Sequence, residues 1–174
     1  MSFLQRIFRG SNRREALEPL YRAIVAAGRD PGWYREGKVP DTLDGRFDML
    51  AALMALVLLR LEKEGDGLRE ASVLLTETFI DDMDATLRQI GIGDYVVGKH
   101  VGRMMSALGG RLTAFRAARE GGRRFDDAVR RNIFHDAPPS DEAVCWVAAR
   151  LEQLSRGLDA HPAEALLEGR LPPL

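Results

Sequence analysis

Eleven consecutive apolar residues, Met49 to Leu59 (Met-Leu-Ala-Ala-Leu-Met-Ala-Leu-Val-Leu-Leu), constrain this chain more than any other feature. A bilayer span needs roughly 20 such residues, so the run is too short to cross a membrane as a helix. It is also too long for an ordinary buried strand, and the flanking residues keep a 3.6-residue period. A helix apolar on nearly every side is a central core helix, which other helices must surround. The six leucines from Leu50 to Leu61 would each stabilise the core by roughly 1.5–3 kcal/mol when buried.

The rest of the chain supplies the surrounding helices. Asn12–Ala27 carries Leu17, Leu20, Tyr21, Ile24 and Val25 on one side, and Gly28 stops it. Asp30 caps a short helix or turn through Trp33 and Tyr34, and Arg35–Pro40 is a loop. The central helix ends near Lys63, and Gly65-Asp66-Gly67 is a turn. The next helix places Leu75, Phe79, Met83, Leu87 and Ile90 on one face, and Gly91-Ile92-Gly93 ends it. Asp94 can cap the helix that follows. Gly109-Gly110 is a candidate bend or break, and Gly121-Gly122 a clearer break. Arg123–Phe134 follows, then a Ser140 cap, a helix over Asp141–Arg156 with Val144, Trp146, Val147 and Leu151 inward, and a short helix near Ala163–Leu167. No alternating strand pattern and no Asn-Gly or Asp-Gly hairpin interrupts this series. The expected fold is all-α, one compact domain over residues 1–174, with six to eight helices around the central one.

The near-neutral net charge of −1 hides a segmentation. Residues 61–94 carry nine acids and three bases; residues 95–135 carry nine bases and three acids. Neutralisation of one block by the other across neighbouring helices is the favoured reading, and separate partners the alternative. The single cysteine, Cys145, excludes an internal disulfide and reads as a small buried residue. The first residues are short, basic and amphipathic, with Phe3, Leu4, Ile7 and Phe8 set against Arg6 and Arg9. They fit a frayed first turn or weak contact with an anionic membrane surface.

Glu77, Asp81, Asp84 and Arg88 fall at i, i+4, i+7 and i+11, one narrow stripe opposite the apolar face, with Asp82 about 100° from Asp81. An outward stripe is poorly placed for a metal. No His100, His135 or His161 has a glutamate three residues before it, as a carboxylate-bridged di-metal bundle requires. No metal site and no cofactor is expected. Asp81-Asp82-Met83-Asp84 misses the Asp-Asp-x-x-Asp spacing of magnesium-dependent isoprenoid enzymes, which stay a distant alternative. The basic segment, from Lys99 and Arg103 onward, could follow lipid or RNA phosphates, but no interleaved aromatics support base stacking. No catalytic constellation is visible, so an interaction role is the default.

Two stretches carry a resemblance. One is Trp33-Tyr34 followed by Val39-Pro40-Asp41-Thr42-x-Asp44-Gly45-Arg46-Phe47-Asp48. The other is Leu75-Thr76-Glu77-Thr78-Phe79-x-Asp81-Asp82-Met83-Asp84, continued by Leu87-Arg88-x-x-Gly91-x-Gly93-Asp94 and Val97-Gly98-Lys99. Both resemble the ubiquinol–cytochrome c chaperone family of cytochrome bc1 assembly factors, most strongly over residues 30–135. The resemblance implies a helical, non-enzymatic chaperone whose client is newly made cytochrome b. A ribosome or a small partner protein would stand nearby, and DNA would not be a partner. The chain begins without a long Arg/Ser-rich transit peptide, which favours a bacterial cytoplasmic protein working at the inner-membrane face. On this reading Glu77, Asp81, Asp82 and Asp84 form an acidic docking surface, with a plain solvated helix face as the alternative. An exposed Trp33 or Tyr34 adds an apolar anchor, and Arg46 and Lys99 add polar contacts; the alternative is that Trp33 and Tyr34 pack under the loop and that Asp44 and Arg46 cap and pair locally. Pro40, Asp41, Asp44, Gly45, Gly91, Gly93 and Asp94 are structural, with Asp41, Asp44 and Gly45 placed where the central helix needs its N-cap. A membrane- or RNA-surface adaptor built on the basic segment is the alternative.

Overall fold

The computed structural model describes residues 13–89, 91 and 94–174, with side chains of 94–97 left aside. The amphipathic first residues, Ile90, Ile92 and Gly93 thus lie outside the described residues. Within them the chain is helical, with no strand. A 3-10 turn, Glu15–Leu17, leads into α1 (Glu18–Gly28), which is followed by α2 (Pro31–Arg35) and α3 (Leu43–Glu62). A second 3-10 turn, Gly65–Leu68, precedes α4 (Arg69–Gln89). The chain continues through α5 (Asp94–Arg119), α6 (Phe125–Asn132), α7 (Asp141–Ala160) and α8 (Ala163–Leu167).

The apolar run sits where its composition demands. Met49 and every residue from Ala51 to Leu61 are buried in α3. Helices α1, α4, α5 and α7 pack around it. They contribute Leu20 and Ile24, Leu75 and Phe79, Phe115, and Val147 and Leu151 to the same cluster. The one cation in this stretch, Arg60, is 6 % exposed. Its guanidinium donates to the Leu158 carbonyl at 2.8 Å and the His161 carbonyl at 3.0 Å, closing the C-terminal end of α7. Carbonyls at a helix C-terminus lack partners and carry partial negative charge, so a cation there is stabilising.

Local chemistry sets the helix ends. Asp30 accepts from Gly32 N at 2.7 Å and starts α2; Ser140 accepts from Ala143 N at 3.2 Å and starts α7. The cap of α3 is Thr42, whose Oγ1 accepts from Gly45 N at 3.2 Å. That corrects the assignment of the cap to Asp41, one position earlier, or to Asp44 or Gly45, two and three positions later. Gly91 ends α4 with φ of 86°, as the sequence suggests. Gly109 and Gly110 do not break α5, which runs through them. One fewer methyl at each lowers helix propensity by only about 1 kcal/mol, which packing on α3 offsets. Cys145 is exposed rather than buried, because α7 turns Val144 and Val147 to the core on either side of it.

Trp33 is fully buried, and this corrects its assignment as an exposed anchor. Its indole N–H donates to the Ala27 carbonyl at 2.8 Å. Its ring meets Trp146 edge-on at 5.9 Å, and the Arg150 guanidinium lies 5.0 Å from its centroid. The tryptophan thus ties α2 to α7. Its polar atom is satisfied internally, so nothing in it requires solvent.

Candidate functional site

The two sequence motifs, separated by most of α3, meet at one corner of the fold. Tyr34 from α2 and Leu43, Arg46 and Phe47 from the first turns of α3 face Asp82, Met83 and Leu87 of α4. Together they line a cavity of about 230 Å³. Leu43 is one of the few large apolar side chains left exposed among the described residues. Tyr34 is half-buried, and its hydroxyl donates to the Gly28 carbonyl at 2.7 Å. Arg46 lies 5.9 Å from the Tyr34 ring centroid and donates to Asp41 Oδ1 at 2.7 Å. The Arg46 guanidinium holds the Asp41 carboxyl below the usual carboxylate range. Pro40 closes the turn beneath: its carbonyl oxygen lies 2.0 Å from where a Cβ on Gly45 would sit.

The acidic stripe is on the surface of α4, beside this corner, and much of it is already engaged. Arg14 reaches Glu77 at 2.8 Å and Asp81 at 2.7 Å. Arg88 pairs with Asp84 at 2.7 Å. Asp82 points the other way and accepts from the Tyr21 hydroxyl at 2.6 Å. Three carboxylates of the stripe therefore face two guanidinium groups, and the stripe stays acidic. These partners correct the expected neutralisation between charge blocks. Of the ion pairs between described side chains, one joins the two blocks, Arg116 to Glu62 at 2.7 Å. The basic segment otherwise pairs with Asp48, Asp126, Asp141 and Asp159. Lys99 is exposed on α5 and forms no ion pair among the described residues. Asp94 opens α5, and Gly93 and the Asp94 side chain lie outside the described residues.

The Tyr21–Asp82 bond has a consequence in alkali. Burial, then the bond to Asp82, pushes ionisation of the Tyr21 phenol far above the ordinary tyrosine range. The folded chain keeps this proton where the unfolded chain, with a pKa of about 10, loses it. Tyr21 thus contributes stability that is complete below pH ~10 and lost as pH rises beyond it. Tyr21→Phe is expected to cost about 1–2 kcal/mol at pH 7. Urea melts of both proteins at pH 7 and above pH ~10 should show that gap shrinking; a constant gap would count against the bond.

A second, larger cleft of about 630 Å³ lies on the other side of Phe47, between the start of α3, the face of α5 and the α6–α7 loop. Its floor holds a buried charge cluster that no sequence motif announces. Asp48 and Arg111 are 4 % and 3 % exposed. Arg111 Nη2 donates to Asp48 Oδ1 and to the Asn132 carbonyl, and Nη1 donates to the Ala107 carbonyl at 3.1 Å. Its Nε has no partner. His135 Nε2 lies 2.7 Å from Asp48 Oδ2. Burial pushes the Asp48 carboxyl up and the Arg111 guanidinium down, and each opposes the shift of the other. The signal in the sequence was positional: Asp48 immediately precedes the apolar run, where a carboxylate needs a counter-charge. Which residues supply it is not legible, because Arg111 and His135 come from distant segments.

Among the described residues this arrangement holds pairs, caps and clefts, and no nucleophile–base pair. Among the described residues, no three His, Cys, Asp or Glu side chains converge as metal ligands would.

The family model of the ubiquinol–cytochrome C chaperones matches residues 35–172. The match takes in the whole of the larger cleft and the α3 and α4 walls of the smaller one, and extends beyond the stretch that carries the sequence motifs, into α7 and α8. The crystal structure of the Cbp3 homolog from Brucella abortus is similar along 98 % of this chain and 95 % of its own, with 31 % identity and a TM-score of 0.80. No curated protein matches. The all-α fold expected from the sequence is the fold of that homolog. With most of its length matched, the chain belongs to the ubiquinol–cytochrome c chaperone family, whose members are assembly factors rather than enzymes.

Proposed function

We propose that this protein holds newly made cytochrome b during assembly of the cytochrome bc1 complex, at the cytoplasmic face of a bacterial inner membrane. The carrying observation is the convergence of the two family motifs on one corner, where Leu43, Tyr34 and Arg46 adjoin the acidic face of α4. Cytoplasmic loops of membrane proteins are rich in Lys and Arg, and complementary charge speeds and orients their docking. Glu77, Asp81 and Asp84 supply the acidic face, Asp82 lines the cavity beside it, Leu43 and Tyr34 give the apolar contact, and Arg46 and Lys99 its basic border. Arg14 and Arg88 are exchangeable partners here: their pairs with Glu77, Asp81 and Asp84 are solvent-exposed, and a basic loop replaces one exposed pair by another. No helix among the described residues is long and apolar enough to cross a membrane.

The test is deletion of the gene, followed by reduced-minus-oxidised difference spectra of the membranes. The b-type signal of the bc1 complex should fall while terminal-oxidase haems persist, and the wild-type gene should restore it. Asp81→Lys with Asp84→Lys should restore it poorly and bind the client more weakly at low salt, with helix content unchanged. Full restoration by this variant would remove the acidic docking face. An unchanged spectrum in the deletion strain would remove the client.

A further inference from the structure

The larger cleft has a composition that neither the acidic docking face nor the fold requires. Its walls and rim divide sharply by chemistry. Ile133 and Phe134 form a buried apolar floor, 1 % and 4 % exposed. Phe47 and Met104 continue it, half-buried. Lys38 and Arg103 stand exposed at the edge, with His100 half-buried beside them. Neither Lys38 nor Arg103 forms an ion pair among the described residues. Asp48 and Arg111 cancel each other beneath, which leaves Asp44 as the one carboxylate of the lining without a buried counter-charge. The N-terminus of the 20-residue helix α3 also opens here through Thr42, Asp44 and Gly45, adding positive potential.

We propose that this cleft binds an alkyl chain carrying one anionic headgroup, with the head at Lys38, His100 and Arg103 and the chain on Phe47, Met104, Ile133 and Phe134. The volume of about 630 Å³ falls within the roughly 300–1,000 Å³ of small-molecule sites. A bare inorganic anion would leave the apolar floor unused. A nucleotide lacks a ring to stack on. Phe47 is packed on Phe79 at 6.0 Å and covered by the Arg111 guanidinium at 5.6 Å. A peptide is disfavoured because the α3 and α5 walls keep their backbone amides inside their own helices, so no edge pairs with an extended chain. An amphiphile needs only what is present: a cationic rim over apolar surface. The inference is independent of the cytochrome b reading, and its test involves no client.

Isothermal titration with octyl, decyl and dodecyl phosphate below their micellar concentrations tests it, with inorganic phosphate as the control. Binding should tighten about fourfold per methylene, the transfer value of a buried CH₂, and phosphate alone should bind far more weakly. Lys38→Gln with Arg103→Gln, both exposed and harmless to the core, should weaken dodecyl phosphate about tenfold or more. Two arms separate the sources. Co-flotation with phosphatidylglycerol vesicles that is lost in the double variant assigns a bilayer lipid. Binding of monomeric laurate without co-flotation assigns a free fatty acid. Affinity independent of chain length, affinity unmoved by the double variant, or failure of both arms overturns the proposal.

Discussion

Replacing Asp48 by alanine is expected to lower stability by about 3–5 kcal/mol. The substitution strands the Arg111 guanidinium, 3 % exposed, in an apolar interior with its Nε already without a partner. His135 loses its acceptor at the same time. A chain of this size loses roughly 2–4 °C in Tm per kcal/mol, so the transition should move by on the order of 10 °C. The cause is the stranded charge rather than the lost volume, and a second variant separates the two. Asp48→Leu combined with Arg111→Met removes both charges and keeps side-chain bulk. Buried ion pairs replaced whole by apolar side chains are often neutral in stability. The double variant should therefore recover most of the loss, short of the bond from Arg111 to the Asn132 carbonyl. Thermal melts followed by circular dichroism decide it. A double variant no more stable than Asp48→Ala would place the cost in shape and not in charge.

The other large effect is expected at Gly45. Gly→Ala inside a helix normally stabilises by up to about 1 kcal/mol. Here the sign reverses. The added Cβ would lie 2.0 Å from the Pro40 carbonyl oxygen and 3.0 Å from its carbon. Both are backbone atoms, so the Val39–Asp41 turn must shift, and with it the Asp41–Arg46 pair and the rim of both clefts. Gly45→Ala should cost about 3 kcal/mol, the upper part of the usual overpacking range. Gly110→Ala is the matched control, because a Cβ there meets nothing within 4 Å. It should leave stability unchanged or raise it by about 1 kcal/mol. Equal melting of Gly45→Ala and the parent protein would mean that the turn yields freely.

What was legible in the sequence was local. The apolar run dictated a buried central helix, and α3 is buried over nearly all of that stretch. The face from Leu75 to Leu87 and the caps at Asp30 and Ser140 followed from spacing and side-chain chemistry. What failed was pairing over distance. The acidic and basic blocks are adjacent in sequence, yet Glu77 and Asp81 take Arg14, and Arg119 takes Asp159. A charge count along the chain carries no information about which helices become neighbours. The tryptophan was misplaced for a related reason. Trp33 lies in a polar stretch, but Trp146 and Arg150, more than a hundred positions later, complete its pocket. The convergence of the two motifs was hidden likewise, since α3 must fold back against α4 before Arg46 and Asp82 share a cavity.

The Arg60 clasp has a consequence for how the protein is made. Its acceptor at Leu158 lies 98 residues downstream. At roughly 5–20 residues per second of synthesis, α3 leaves the ribosome about 5–20 s before the carbonyl that will receive its guanidinium exists. During that interval α7 cannot cover the central helix, and the most apolar segment of the chain is open to whatever is nearby. Every newborn copy of this chaperone therefore passes through a translational window in which its most apolar helix lacks part of its final cover, until the last long helix emerges.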